Sequence, residues 1–220
     1  MTTFPNSPKL IKGGLVLIDA DTAQVQRIIS LQYNADTLTR RFQTQETGGE
    51  GGSNRVEPTR FKWPAVETIT LEADIDATDQ LEFPDQNPNA GALGIQPQLA
   101  LLELLLYPSA AQLQSVDGQA SSGTLEIAPM LAPLVLFVWG KNRIVPVKVS
   151  DFSITEEAFD PVLNPIRAKV SLTLRVLSVD DLGFSSKGGS LFMTYLQGKE
   201  GLAGKVQPVS FSALGIGGIS

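Results

Sequence analysis

The sequence predicts a mainly β, α+β chain, and three features predict it. Residues 166–177 alternate Ile166, Ala168, Val170, Leu172, Leu174 and Val176 with Arg167, Lys169, Ser171, Thr173 and Arg175, the period of two of a strand with one face buried and the other wet. Residues 66–75 repeat the pattern, setting Ile69, Leu71, Ala73 and Ile75 against Thr68, Thr70, Glu72 and Asp74. One segment, 96–107, combines helical length and apolar density with flanking prolines.

The other elements follow in chain order. Residues 10–18 read as a first strand, interrupted at Gly13-Gly14, where a bulge is expected. Asp19-Ala20-Asp21 is a turn and residues 25–33 alternate again, so the two strands make a hairpin. Residues 43–58 hold Gly48-Gly49-Glu50-Gly51-Gly52-Ser53 and read as a long loop, because glycine without apolar neighbours cannot offset its ordering entropy. Residues 76–89, with Pro84 and Pro88, read as irregular. In 96–107, Pro97 suits a first turn and Pro108 stops the helix. Leu99, Leu101, Leu102, Leu104, Leu105 and Leu106 surround that helix, which implies burial on most sides. Residues 109–123 are a Ser/Ala/Gln/Gly loop by composition. Residues 133–139 form a continuous apolar strand, Gly140-Lys141-Asn142 its turn, and 143–155 the returning strand, in which Pro146 implies an edge or a bulge. After Asp180-Asp181 the chain turns Gly-rich. Residues 191–196 read as a short helix, and 198–220 as a tail that is extended or docked on a partner. The chain divides into a β domain with inserted Gly-rich loops, residues 1–180, and an extension, residues 181–220.

Composition excludes several chemistries. Cys and His are both absent from the 220 residues, so no thiolate, Ser-His, Cys-His or His-metal site exists. The net charge is −6 and no Lys/Arg-rich run occurs, which argues against a nucleic-acid partner. Charged residues make up only 18%, as expected where surface is covered by neighbouring copies. The first eight residues carry no cationic stretch followed by an apolar one, and the most apolar stretch, 99–106, is too short to span a bilayer. Folding in a cytoplasm without membrane insertion is the expectation.

The chemical motifs fail on context. Gly201-Leu202-Ala203-Gly204-Lys205 resembles a phosphate loop, but Lys199 stands where the first glycine belongs and Val206 replaces the hydroxyl residue. Gly215-Ile216-Gly217-Gly218 opens no helix. Asp74, Asp76, Asp79 and Glu82 gather four carboxylates without EF-hand spacing, and strand-end turn chemistry accounts for them. Glu156, Glu157, Asp160, Asp180 and Asp181 lie beyond strand ends, and none is singled out as a catalytic acid. No cofactor is expected. Trp139, Arg143, Arg167, Lys169 and Arg175 are the candidates for a subunit interface or a channel lining; for Trp139 the ordinary reading is core, and for the cations a solvated face.

Several segments together resemble a known family. They are Pro133-Leu134-Val135-Leu136-Phe137-Val138-Trp139-Gly140, residues 145–155, Phe159-Asp160-Pro161 and Pro165-Ile166-Arg167-Ala168-Lys169-Val170. Upstream, Leu31-Gln32-Tyr33-Asn34-Ala35-Asp36-Thr37-Leu38, residues 67–79 and Gly94-Ile95-Gln96-Pro97-Gln98 join them. The pattern is similar to tube-initiator proteins of phage-tail-like contractile injection systems, in the LysM-associated baseplate-hub group. The resemblance implies a tail-tube-like fold of two packed antiparallel sheets with one flanking helix. It also implies a structural, non-enzymatic role: a hexameric ring joining the spike or hub to the inner tube, beside other baseplate proteins, in a particle that is either released or membrane-attached. Relatives carry a LysM module whose opening has no counterpart after Leu177, so peptidoglycan binding is not carried over. The competing classes are a carbohydrate- or cell-surface-binding β-sandwich, which predicts exposed aromatics in a groove, and a carboxylate hydrolase, which predicts a close carboxyl pair in a cleft.

Overall fold

A computed structural model describes residues 10–20, 22–46, 61–121 and 132–219. Seven strands lie among them: β1 (Gly14–Ile18), β2 (Val25–Ser30), β3 (Leu38–Glu46), β4 (Phe61–Asp76), β5 (Leu134–Val138), β6 (Ile144–Glu156) and β7 (Arg167–Val176). All pair antiparallel, in the order β2-β1-β5-β6-β7-β4-β3. The mainly β, α+β class stands. The expected two sheets are instead one continuous hydrogen-bonded sheet that curls on itself. Gln32, just past β2, donates from Nε2 to Asp76 O (2.6 Å) and accepts from Asp76 N at Oε1 (3.0 Å), at the end of β4. Four strands separate β2 from β4 in the sheet order, so only curvature brings these residues together.

The curl follows from one apolar face. On β4 and β7, Ile69 faces Leu174, Leu71 faces Leu172, Ala73 faces Val170 and Ile75 faces Ala168, and all are buried. β6 adds Val149, Phe152 and Ile154 opposite Leu174, Leu172 and Val170. Val149 and Phe152 are three apart and would fall on opposite faces of a regular strand. The register shift between Val149 and Asp151 resets the alternation and keeps both inside. Leu15, Ile29, Phe137, Val145 and Val147 continue the face, which closes over Leu99 and Leu102.

Six helices occupy the described connections: α1 (Thr78–Leu81), α2 (Pro88–Leu93), α3 (Gln96–Glu103), α4 (Ala110–Ser121), α5 (Val179–Leu182) and α6 (Lys187–Ala203). Residues 76–89 therefore contain short helices where irregular chain was expected. α3 stops at Glu103, before the expected end, and only one side faces the core: Leu104 and Leu106 are exposed. The expected loop at 109–123 holds α4 through Ser121. Ser109 Oγ accepts from Gln112 N, and Gln112 Oε1 accepts from Ser109 N, a reciprocal cap that starts the helix although it buries no residue. Part of the loop expected at 43–58 is strand β3; the remainder, and 122–123, lie outside the described residues.

Pro146 corrects another expectation, because β6 is central rather than an edge, and its register shift lies further along, between Val149 and Asp151. Arg143 O accepts from Trp139 N across the hairpin, so by alternation residue 146 turns its backbone polar groups away from β5. They face the end of β7, where Pro146 O accepts from Leu177 N and no ladder donor is required.

The helix expected at 191–196 extends over Lys187–Ala203. Ser186 Oγ caps it by accepting from Gly189 N at 2.9 Å. A Cβ on Gly189 would strike the Gly183 carbonyl, so glycine there permits close approach to α5. Leu182 and Leu191 cover Ile18, Leu134 and Leu136 on the outer face of β1 and β5, while Phe192 and Tyr195 enter the main core.

Gly94 ends α2 with φ +58°, and Ile95 N then donates to Pro165 O at 2.9 Å. A Cβ there would strike that same carbonyl. Gly94→Ala should lose about 1–3 kcal/mol in urea unfolding at unchanged slope. Gly118→Ala, at an open position on α4, should instead gain about 0.5–1 kcal/mol. Equal midpoints for the two variants would refute the backbone argument.

Candidate functional site

The sequence-predicted residues do not converge. Trp139 and Arg143 flank the β5–β6 turn, while the three cations are spread along β7. Trp139 is half-buried and stacks on Phe137, ring centroids 5.8 Å apart. Arg167 Nε pairs with Asp76 at 2.9 Å, Lys169 Nζ with Glu157 at 3.4 Å and Arg175 Nη2 with Asp181 at 2.7 Å. Each cation thus has a carboxylate of its own chain. Two of those carboxylates also order turns: Asp76 accepts from Thr78 and Asp181 accepts from Ser178 N to cap α5. Burial tends to raise the Asp76 carboxyl, but the Thr78 bonds and Arg167 outweigh it and hold it below the usual range. Asp160 accepts from the backbone N–H groups of Val162 and Asn164, both at 2.8 Å, and so builds a turn. Among the described residues no group of His, Cys, Asp or Glu is placed to hold a metal ion. The phosphate-loop lookalike falls at the C-terminal end of α6, where the helix dipole repels an anion. No described helix is long and apolar enough to cross a membrane.

The best-built polar cluster was missed at the sequence level. Glu67 on β4 is 4% exposed. Its carboxylate accepts from Arg40 Nε at 2.7 Å, from Lys199 Nζ at 2.9 Å and from the Tyr195 hydroxyl at 3.1 Å. The Tyr195 hydroxyl in turn accepts from Arg40 Nη2 at 3.0 Å. Phe42 lies under both cations, 4.9 Å from Arg40 and 5.2 Å from Lys199. Burial alone would raise the Glu67 carboxyl; the Arg40 and Lys199 hydrogen bonds and charges outweigh it and hold it below the usual carboxylate range. This cluster fastens α6 to β3 and β4. The signal for it was present, because Glu67 shares parity with Ile69 and Leu71 and therefore had to enter the core.

Beside the fastening lies an apolar groove of about 640 Å³. Trp63, Val179, Phe184, Phe192, Met193 and Leu196 form most of its wall. Its lining includes no charged side chain. At the ends of the sheet, β2 and β3 each have one strand neighbour among the described residues. Val25 and Ile28 are exposed on β2.

Among the described residues the curled sheet thus leaves β2 and β3 with one strand neighbour each, beside an apolar groove and β7 cations paired to carboxylates of the same chain, surfaces of the kind that an assembling β protein uses. The chain belongs to the contractile injection system tube protein family, whose model matches residues 15–182. No curated protein matches the chain significantly. Membership gives it a structural role in a contractile injection particle, assembled with other components of that machine. The match ends at the close of α5, so α6 and the residues after it lie outside.

Glu67→Gln tests the fastening. The folded carboxyl titrates below its unfolded value, so its contribution is complete above about pH 4.3 and is lost as pH falls through the lowered folded value. Lys199 reaches solvent, so its share is discounted. At neutral pH the variant should lose about 1.5–3 kcal/mol in denaturant unfolding. That deficit should shrink as the solution is acidified, and a deficit independent of pH would show that the charge is not what secures α6.

Proposed function

We propose that the chain is a tube-initiator or baseplate-hub subunit of the LysM-associated kind, without enzymatic activity. Copies close into a ring, taken as a hexamer. The ring joins the trimeric spike or hub to the inner tube and templates tube growth. Assembly takes place in a cytoplasm, with the spike, the inner tube protein and other baseplate proteins as partners and no cofactor.

The pair of open edges carries this reading. β2 and β3 terminate the sheet in opposite senses of the order, and among the described residues each has a strand on one side only. An edge of that kind is a template for another strand. Head-to-tail pairing of β3 with the next copy's β2 repeats around an axis, and a closed ring leaves no edge over. Arg167, Lys169 and Arg175 are each 41–61% exposed despite their ion pairs, so they remain available to a wet lumen or a neighbour. Trp139 and Arg143 extend the β5–β6 turn toward a rim.

Ile28 offers a clean test. Leu31 N–H donates toward β1, so by alternation the Ile28 N–H faces outward. Ile28→Pro and Ile28→Lys should both abolish rings, read by native mass spectrometry and particle imaging with the spike and tube proteins present, while leaving the circular dichroism of the monomer unchanged. Rings from both variants would remove β2 from the interface. A stable wild-type monomer in the presence of those partners would end the ring reading.

A further inference from the structure

The segment after α6 and the groove beside α6 have the same unsatisfied chemistry. Every described residue from 204 to 219 is exposed. Val206, Val209, Leu214 and Ile219 are 73%, 74%, 70% and 83% exposed, and Phe211 and Ile216 are also open. An isolated subunit rarely presents such a run of large apolar side chains to water. After Lys205 this segment has no charged residue, and the groove has none in its lining. Contact between them therefore desolvates no charge.

The segment also carries local order. Residues 211–214 form a 3-10 turn that ends at Gly215 with φ 73°. Residues three apart eclipse in that geometry, so Phe211 and Leu214 project together as one aromatic and aliphatic knob. Ile216 N donates to Phe211 O and closes the turn. The groove, at about 640 Å³, has room for large side chains.

The geometry leads away from the chain's own groove. Phe192, Met193 and Leu196 line that groove from the middle of α6. The helix then continues through Lys199, fastened to Glu67, to Ala203, about 10 Å further at 1.5 Å per residue. From there the path stays in solvent. We propose that residues 206–219 of one copy dock in the Trp63, Phe184 and Phe192 groove of a second copy, an inference that rests on the ring reading above because it needs copies held side by side. Both halves of the contact draw on residues beyond the family match at 182.

The chain has no cysteine, which makes directed cross-linking specific. Leu214→Cys protein, mixed with Phe184→Cys protein under mild oxidation with the spike and tube proteins present, should give a reducible band of two 23.5 kDa chains. The band should exceed that from either variant alone, fall to that single-variant level with Lys141→Cys as the partner, and fall to it likewise when Phe211→Asp is added to the tail. Native mass is read on the same samples. Rings without the cross-link overturn this contact and leave the ring reading standing. Monomers without the cross-link overturn both. A chain carrying both substitutions that links only to itself overturns docking between copies.

Discussion

Ala168, Val170, Leu172, Leu174 and Val176 of β7 each lie at most 3% exposed, held between β4 on one side and β6 on the other. A slip of one residue would bring Arg167, Lys169 and Arg175 into the core and place the aliphatic set in water. The register of the central strands is therefore fixed from within β7, and other features answer to it. The irregularity in β6 restores Phe152 and Ile154 to the face that β7 demands. Pro146 is tolerated because it meets the sheet where the β7 ladder ends. The cations displaced to the outer face find Asp76, Glu157 and Asp181 at strand ends and turns, where Asp76 and Asp181 also order backbone N–H groups.

The second constraint is a buried acid. Glu67 follows the same parity as Ile69, so the register that buries the aliphatics buries a carboxylate too. Left alone it would be costly, and breaking a buried pair is worse than never having one. Arg40 from β3 and Tyr195 and Lys199 from α6 supply the donors. The result is a directional fastening between the far edge of the sheet and a helix that joins the core only through Phe192, Tyr195 and a few flanking side chains. Phe42, exposed on β3, gains a role as the platform beneath both cations.

Legibility in the sequence followed the strength of this internal pattern. β4, β7, the β5–β6 hairpin and the β1–β2 hairpin all carry apolar alternation or continuous apolar runs, and their strand character was readable. β3 was not, because Leu38-Thr39-Arg40-Arg41-Phe42-Gln43-Thr44 is mostly polar on both faces, as edge strands often are. α4 buries nothing, so no apolar periodicity marks it, and composition alone reads as loop; the Ser109–Gln112 cap that starts it becomes visible in the structure. α6 was truncated because its glycines read as loop, although Gly189 is required by close packing on α5. The Trp139 stack accords with its ordinary core reading. The three β7 cations were placed correctly on one face, but their carboxylate partners come from distant turns, which no local pattern encodes.

Why α6 should be fastened by charge and not by apolar contact alone has a physical answer. A helix resting on an apolar surface can slide or rotate by small amounts at little cost, since hydrophobic contact is not directional. Hydrogen bonds to one carboxylate tolerate no such shift, because their strength falls steeply with distance and angle. The groove wall needs Phe192, Met193 and Leu196 in one position against Trp63 and Val179. Tyr195 and Lys199 lie three and seven residues beyond Phe192 on the same helix, so fixing them to Glu67 fixes the groove. The buried acid is thus best understood as the element that gives a smooth apolar surface a single shape, and a surface with a single shape can select what fills it.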